Sequence, residues 1–256
     1  DSETISITVK FPNLMKVNED RRRAINAGYL AGPTEVDALI NFRGKNYKAK
    51  VRLKGDLPDH WLSKFRFSVR VRLKNNETIL GMNSFSIQKP RSRQHPYDQA
   101  FQKALDRVGN LTSNQMYAKV ILNGQNWGIM NLEEHLSAEY LEKKQVKESL
   151  IFRFSDDLFW KEYRKSLYGI EEADLLEQST YRLSDGSLVA SIFKENKYLQ
   201  DVRNRKIFTY VLEERLKNSH GHLYSKKEHA NLLMHALIWN NFHSLSEHNT
   251  KYYFNP

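Results

Sequence analysis

Two stretches of strict alternation, Tyr47–Leu53 and Phe65–Leu73, leave this chain few folds to choose from. In the first, Tyr47, Ala49, Val51 and Leu53 point one way, and Lys48, Lys50, Arg52 and Lys54 the other. In the second, Phe65, Phe67, Val69, Val71 and Leu73 form the apolar face. Lys64, Arg66, Ser68, Arg70, Arg72 and Lys74 form its opposite. A period of two over runs this long predicts strands with one buried face. If the two strands pair, one face of the sheet carries a dense field of cations. Like charges side by side on a sheet repel. The field is then either solvated or covered by an anion.

Further strands follow from the same period. Ile5, Ile7, Val9 and Phe11 alternate over residues 4–11. Residues 78–88 and 116–122 read as strands, and Asn123-Gly124 signals a hairpin returning as Trp127 to Leu132. Helices are expected over Asn18–Ala31, with Glu19 and Asp20 in its first turn, over Tyr97–Val108, and from about Ser137. From Asp156 the pattern turns helical: 156–168, 171–178, 187–194, 197–217 and 225–240. The expectation is an α+β chain with a sheet-rich half, residues 1–154, and a mainly helical half, residues 155–256, enclosing a cleft.

The chain of 256 residues is large enough for two such lobes, and 13 Tyr, 13 Phe and 4 Trp supply a core. A formal charge of +10 favours anionic partners. The absence of Cys excludes disulfides and thiolate metal sites. No run of about 18 apolar residues is present to span a membrane. No signal peptide is visible, and the start at Asp1 suggests a trimmed or mature form.

The P-loop, the G-x-G-x-x-G fingerprint and the G-x-S-x-G elbow are all missing. His220-Gly-His222 reads as a loop. Asp156/Asp157, Glu171/Glu172 and Glu213/Glu214 read as helix surfaces or helix starts. Glu133/Glu134 differs, since it ends an aromatic hairpin. Glu134 is the candidate to pair with a cation of the basic sheet. The segment from His229 runs from an apolar helix into a loop, Asn240 to Asn249, rich in Asn, Ser and His, and then into the aromatic strand Tyr252–Phe254. A polar loop between two buried elements can present acid–base and metal-ligand atoms, or it can be a plain turn.

Five segments in order resemble the CotH-like family, named for a bacterial spore-coat protein. They are VRLKGD (51–56), the basic strand after it, NGQNWGIMNLEEHL (123–136), LIFRF (150–154) and HSLSEHNTKYYFNP (243–256). The resemblance spans roughly residues 36–256 and implies a two-lobed atypical protein-kinase-like fold. It implies phosphate transfer from ATP, with Mg2+ or Mn2+, to a protein or cell-envelope acceptor outside the cytoplasm. It places Lys64 and Arg70, with Lys54 beside them, on the nucleotide. It puts Glu134 after the hairpin, Arg153 at the close of the next strand, and Asn249 on the family's metal-binding Asn. Two departures stand out. No Asp lies between Asp201 and Pro256, so His243 stands nearest the family's catalytic Asp and is the candidate base. The family's metal-binding Asp would fall after Pro256, which leaves Asn249, helped by Glu247, as candidate metal ligand. Alternatives are a degenerate member that binds nucleotide or polyanion without catalysis, and a basic module for nucleic acid or an anionic polymer. The aromatics alternate into the core instead of joining the basic face, which disfavours nucleic acid.

Overall fold

Alternation does build the strands, and a long-range pairing closes them into a barrel. The structure, a computed structural model, describes residues 3–28, 30–55, 58–155, 181–182, 189–217, 223–246 and 249–256. It divides into two units, Asp1–Gln102 with Ser113–Tyr140, and Lys103–Thr112 with Leu141–Pro256.

The first unit contains β1 (Thr4–Val9), α1 (Phe11–Ala27), β2 (Val36–Phe42), β3 (Lys45–Leu53), β4 (Val69–Leu73), β5 (Ser84–Gln88), β6 (Gln115–Leu122) and β7 (Gln125–Glu134). Helix α2 (Tyr97–Arg107) begins in it. Seven strands close in the order β1-β2-β3-β4-β5-β7-β6. Neighbours are antiparallel except at the seam, where β1 runs parallel to β6, with Ile5 opposite Val120. Ile7, Ile40, Val51, Leu53, Val71, Ile87, Val120 and Leu132 fill the interior, each no more than 2% exposed. Each large aliphatic side chain buried this way contributes about 1.5–3 kcal/mol, which is why the alternating residues hold their register.

Helix α1 starts earlier and stops earlier than expected. Pro12 sits in its first turn, where a missing N–H costs nothing, and Gly28 at φ 78° ends it in the left-handed conformation. The second basic strand is shorter than its alternation predicts. Only Val69–Leu73 is strand, because Ser63 Oγ draws in the amides of Phe65 and Arg66 at 3.4 and 3.5 Å and folds that segment into a turn.

The second unit is built on a sheet as well as on helices. It holds α3 (Ala138–Lys143, which begins in the first unit), β8 (Ile151–Ser155), β9 (Tyr181–Arg182), β10 (Val189–Ile192), α4 (Glu195–Tyr198), α5 (Val202–Leu216), α6 (Lys226–Ile238) and β11 (Tyr252–Tyr253). The strands order as β11-β8-β10-β9, all antiparallel. Phe152 anchors the core, its ring 5.8 Å from Tyr252 and 6.0 Å from Phe208 of α5. Asp201 caps α5 by accepting from the Arg203 amide at 2.7 Å.

These elements overturn the two-lobed kinase-like expectation. The sheet-rich half is a closed mixed barrel, and the described residues of the remainder combine a four-stranded sheet with helices in place of a helix-rich lobe. Residues 189–192, read as helix, form the strand beside β8. The expected helix 197–217 is two pieces, since Asp201 begins a new helix. The expected boundary at residue 154 falls inside β8. The helices expected over 156–168 and 171–178, and His220 and His222, lie outside the described residues.

Candidate functional site

The cations of β3 and β4 do not form one field. Register pairs Lys50 with Arg72 and Arg52 with Arg70 across the two strands. Those nearer β2 are neutralised from that strand's side: Asp37 takes Lys50 at 3.1 Å and Lys74 at 2.6 Å, and Glu35 takes Arg72 at 2.6 Å. Both lysines hold the Asp37 carboxyl below its ordinary range, Lys74 contributing more. Repulsion along the strands is relieved by salt bridges, so this part of the basic face is a solvated surface.

The other end of the face is different. Arg70 on β4 lies opposite Ser86 on β5, and Ser86 opposite Glu133 on β7. The next row along runs through Ser68, Gln88 and Asn131. Both rows point away from the barrel interior, yet Ser68, Ser86, Gln88 and Asn131 are all fully buried. A 3₁₀ turn, Pro90–Arg93, covers this wall by packing on β7.

One carboxylate lies at the centre of this wall. Glu133 Oε2 accepts from Arg93 Nε at 2.8 Å, and Arg93 Nη2 lies 2.7 Å away. Gln88 Nε2 donates to the same oxygen. Lys54 Nζ stands 3.9 Å from it and donates to Gln88 Oε1 at 3.0 Å. The side chains of Lys54 and Glu133 are 16% and 15% exposed, and that of Arg93 is 28%. Burial acts to lower the Arg93 pKa, but Glu133 and Asp98 outweigh it and hold the guanidinium above its ordinary value. At 0% exposure, Asn131 has no hydrogen-bond donor for its Oδ1 among the described residues. A buried acceptor left open in this way suits a water or a ligand N–H. Nearby, His135 Nε2 lies 2.7 Å from Ser86 Oγ, and His95 Nδ1 lies 2.6 Å from the Tyr117 hydroxyl. Burial, then the charge of Asp98, raises the Tyr117 phenol.

Lys54 is held by a folded loop. Its amide donates to Ser68 O at 3.0 Å, and the Ser68 amide donates to His60 O at 2.7 Å. Trp61, 1% exposed, donates from Nε1 to Gly55 O at 3.0 Å. Arg21 of α1 donates to the carbonyls of Trp61, Leu62 and Ser63 at 2.6, 3.0 and 2.9 Å.

The expected site residues are distributed as follows. Lys54 and Arg70 are on this wall. Lys64 is exposed on the loop and shares no described contact with either. Glu133, the neighbour of the expected Glu134, meets Lys54 at 3.9 Å. Glu134, 4% exposed, lies opposite Phe85 with the inward parity of Met130 and Leu132. Its backbone is fixed by Asn114 O and Ser113 Oγ at 2.8 and 2.7 Å. Arg153, His243 and Asn249 belong to the second unit. Arg153 Nε donates to Ser191 Oγ at 3.2 Å. Asn249 Nδ2 lies 3.0 Å from His243 Nε2, 3.0 Å from His243 O and 2.9 Å from Ser246 Oγ. Among the described residues no group of three His, Cys, Asp or Glu side chains is placed to hold a metal. Glu247 lies outside the described residues. Arg93, Gln88 and Asn131 were not expected from sequence. The KPRSRQHP loop is recognisable as basic, but only the fold shows which arginine turns back onto β7.

The chain matches no protein-family model, and no curated protein matches it.

Proposed function

We propose that this protein binds the phosphates of a nucleoside triphosphate at the Lys54–Arg93–Glu133 wall and transfers a phosphoryl group to a protein or cell-envelope acceptor. One observation carries the reading: two half-buried cations converge on a single carboxylate oxygen, beside a buried acceptor with no described donor. Phosphoryl transfer depends on positioning and charge stabilisation more than on covalent chemistry from the protein. A lysine steadied by a glutamate, on a rigid wall, is the arrangement that such positioning needs. Arg93 presents a planar fork suited to phosphate oxygens, and Glu133 keeps both cations in place before the anion arrives. The resemblance to the CotH-like family agrees with this activity, and the barrel supplies the scaffold in place of a kinase lobe.

The test is ATP binding by calorimetry, with transfer of labelled γ-phosphate followed in Mg2+ and in Mn2+. Lys54→Met and Arg93→Met are each expected to weaken ATP binding at least about tenfold, the loss expected from one charge-assisted phosphate contact. Unchanged affinity in both variants would sink the site.

A second reading is binding without transfer. It is favoured by the lack of any Asp from Val202 to Pro256. ATP binding that depends on Lys54, with no label reaching any acceptor or the chain itself, would select it.

A further inference from the structure

The loop that positions Lys54 also carries two large apolar side chains into solvent. Phe65 is 74% exposed and Leu62 is 53% exposed. Isolated exposed apolar residues are ordinary, but these two sit on a segment held against movement. Arg21 donates to the carbonyls of Trp61, Leu62 and Ser63, Trp61 is buried beneath, and the Leu62 amide donates to Pro58 O at 2.9 Å. The loop therefore does not fold Leu62 and Phe65 inward. Ile25 adds to the patch: it is 40% exposed and one helical turn beyond Arg21 on the same face of α1.

The charges around the patch are mainly positive. Lys64 is exposed between the two apolar residues and makes no ion pair among the described residues. Arg66 follows, its Nη1 donating to Trp127 O at 3.1 Å, and Arg21, Arg22 and Arg23 run along the adjoining helix. Glu19 pairs with Arg22 and Asp20 with Arg23, and Asp20 is buried. Asp59 lies against His60, 3.9 Å from Nε2.

We infer that this loop docks the protein on an anionic lipid membrane, with Phe65 and Leu62 entering the boundary between headgroups and acyl chains and Lys64 meeting lipid phosphates. Two or three protruding side chains are too little for a stable protein interface, which buries about 800 Å² on each partner. They suffice for interfacial insertion, where apolar area and attraction to anionic headgroups add. A formal charge of +10 on the whole chain supports the approach. Docking would hold the Lys54 wall near acceptors at a membrane surface, but it stands independently of the phosphate reading, since Leu62 and Phe65 take no part in that site.

The experiment is co-sedimentation of the full chain with vesicles of phosphatidylcholine alone and with phosphatidylglycerol added. Wild type should pellet with the anionic vesicles and not with the neutral ones. The double variant Leu62→Ser/Phe65→Ser should bind anionic vesicles at least about tenfold more weakly, since each residue's buried area is lost. Lys64→Glu should weaken binding and make what remains less sensitive to salt. In Phe65→Trp, the added fluorophore should shift to the blue on mixing with anionic vesicles. All three variants should melt as wild type does, which separates docking from folding. Equal binding by wild type and the Leu62/Phe65 double variant would overturn the inference, as would binding that responds to Lys64 alone. Self-association abolished by the double variant, without any vesicle binding, would also overturn it and make the patch a contact between copies.

Discussion

Arg93 closes on a single oxygen of Glu133, with Nε at 2.8 Å and Nη2 at 2.7 Å from Oε2, and Lys54 Nζ 3.9 Å from the same atom. Removing that oxygen's charge leaves two partly buried cations facing each other. Glu133→Gln is expected to cost about 1–3 kcal/mol in urea unfolding, since breaking a partly buried pair exposes the uncompensated partner. Millimolar inorganic phosphate should return part of that loss in the variant and add little to wild type. A variant as stable as wild type, with no response to phosphate, would show that the cations do not need the carboxylate and that no anion takes its place.

Gly55 controls the approach of the loop to Lys54. It has φ +98°, and a Cβ there would lie 2.1 Å from Cγ and 2.6 Å from Cβ of His60. Gly55→Ala should therefore cost at least about 2 kcal/mol through backbone strain and overlap together. Adding His60→Ala should recover the overlap with the ring and leave both the Cβ contact at 2.6 Å and the strain, so the two changes should be non-additive while the double variant stays below wild type. Thermal melts of the two single variants and the double variant measure this directly.

In the second unit, Glu148 should contribute to the response to acid. Its carboxylate accepts from Lys197 Nζ and the Tyr198 hydroxyl, each at 2.7 Å. The Lys197 bond, then that of Tyr198, holds its pKa below the usual glutamate range. The folded value is thus lower than the unfolded one. The stabilisation is present above the unfolded pKa and is lost as pH falls through the folded one. The side chain is 47% exposed, so solvent screens the effect and it should be small. Melting temperature followed from neutral pH down to about pH 3 should fall less steeply for Glu148→Gln than for wild type, with the two curves meeting at the acid end. Parallel curves throughout would remove Glu148 from the acid response.

How far the sequence could be read depends on the range of each interaction. Val51 and Val71 announce the interior of the barrel because side-chain alternation is local. The same alternation places Glu133 and Glu134 on opposite faces. Choosing between them takes the register of β5, where Ser86 meets Glu133 and Phe85 meets Glu134. Nothing local specifies the seam, where Thr4 pairs with Lys119, so an open sheet and a closed barrel look alike in the chain. Phe65 keeps the period of a strand, but Ser63 captures its amide and ends the pattern. Residues 189–192 are too short a run to separate strand from helix without their partner β8. The cation field reads as uniform from sequence, yet Asp37 and Glu35 neutralise one end, while Arg93, brought in by a turn, joins the other.

The loop of His243 and Asn249 allows a sharp separation of structural and catalytic roles. Asn249 Nδ2 reaches His243 O at 3.0 Å and Ser246 Oγ at 2.9 Å, while the Asn249 amide donates to Ser246 O at 2.9 Å. Thr250 Oγ1 adds a bond to Ser244 O at 2.8 Å. These bonds make the turn self-supporting, and Asn249 Nδ2 reaches both a backbone carbonyl and a hydroxyl of it. Asn249→Ala is therefore expected to cost about 1 kcal/mol, roughly one net hydrogen bond, and His243→Ala less. Asn249→Asp should be no better than alanine, because it turns an acceptor toward the His243 carbonyl. If the loop serves phosphoryl transfer, His243→Ala should lower transfer well beyond its small effect on melting and leave ATP affinity intact. A purely structural histidine would lower melting and transfer in step. Melting temperature, ATP affinity and label transfer, measured together on the three variants, decide between the two roles.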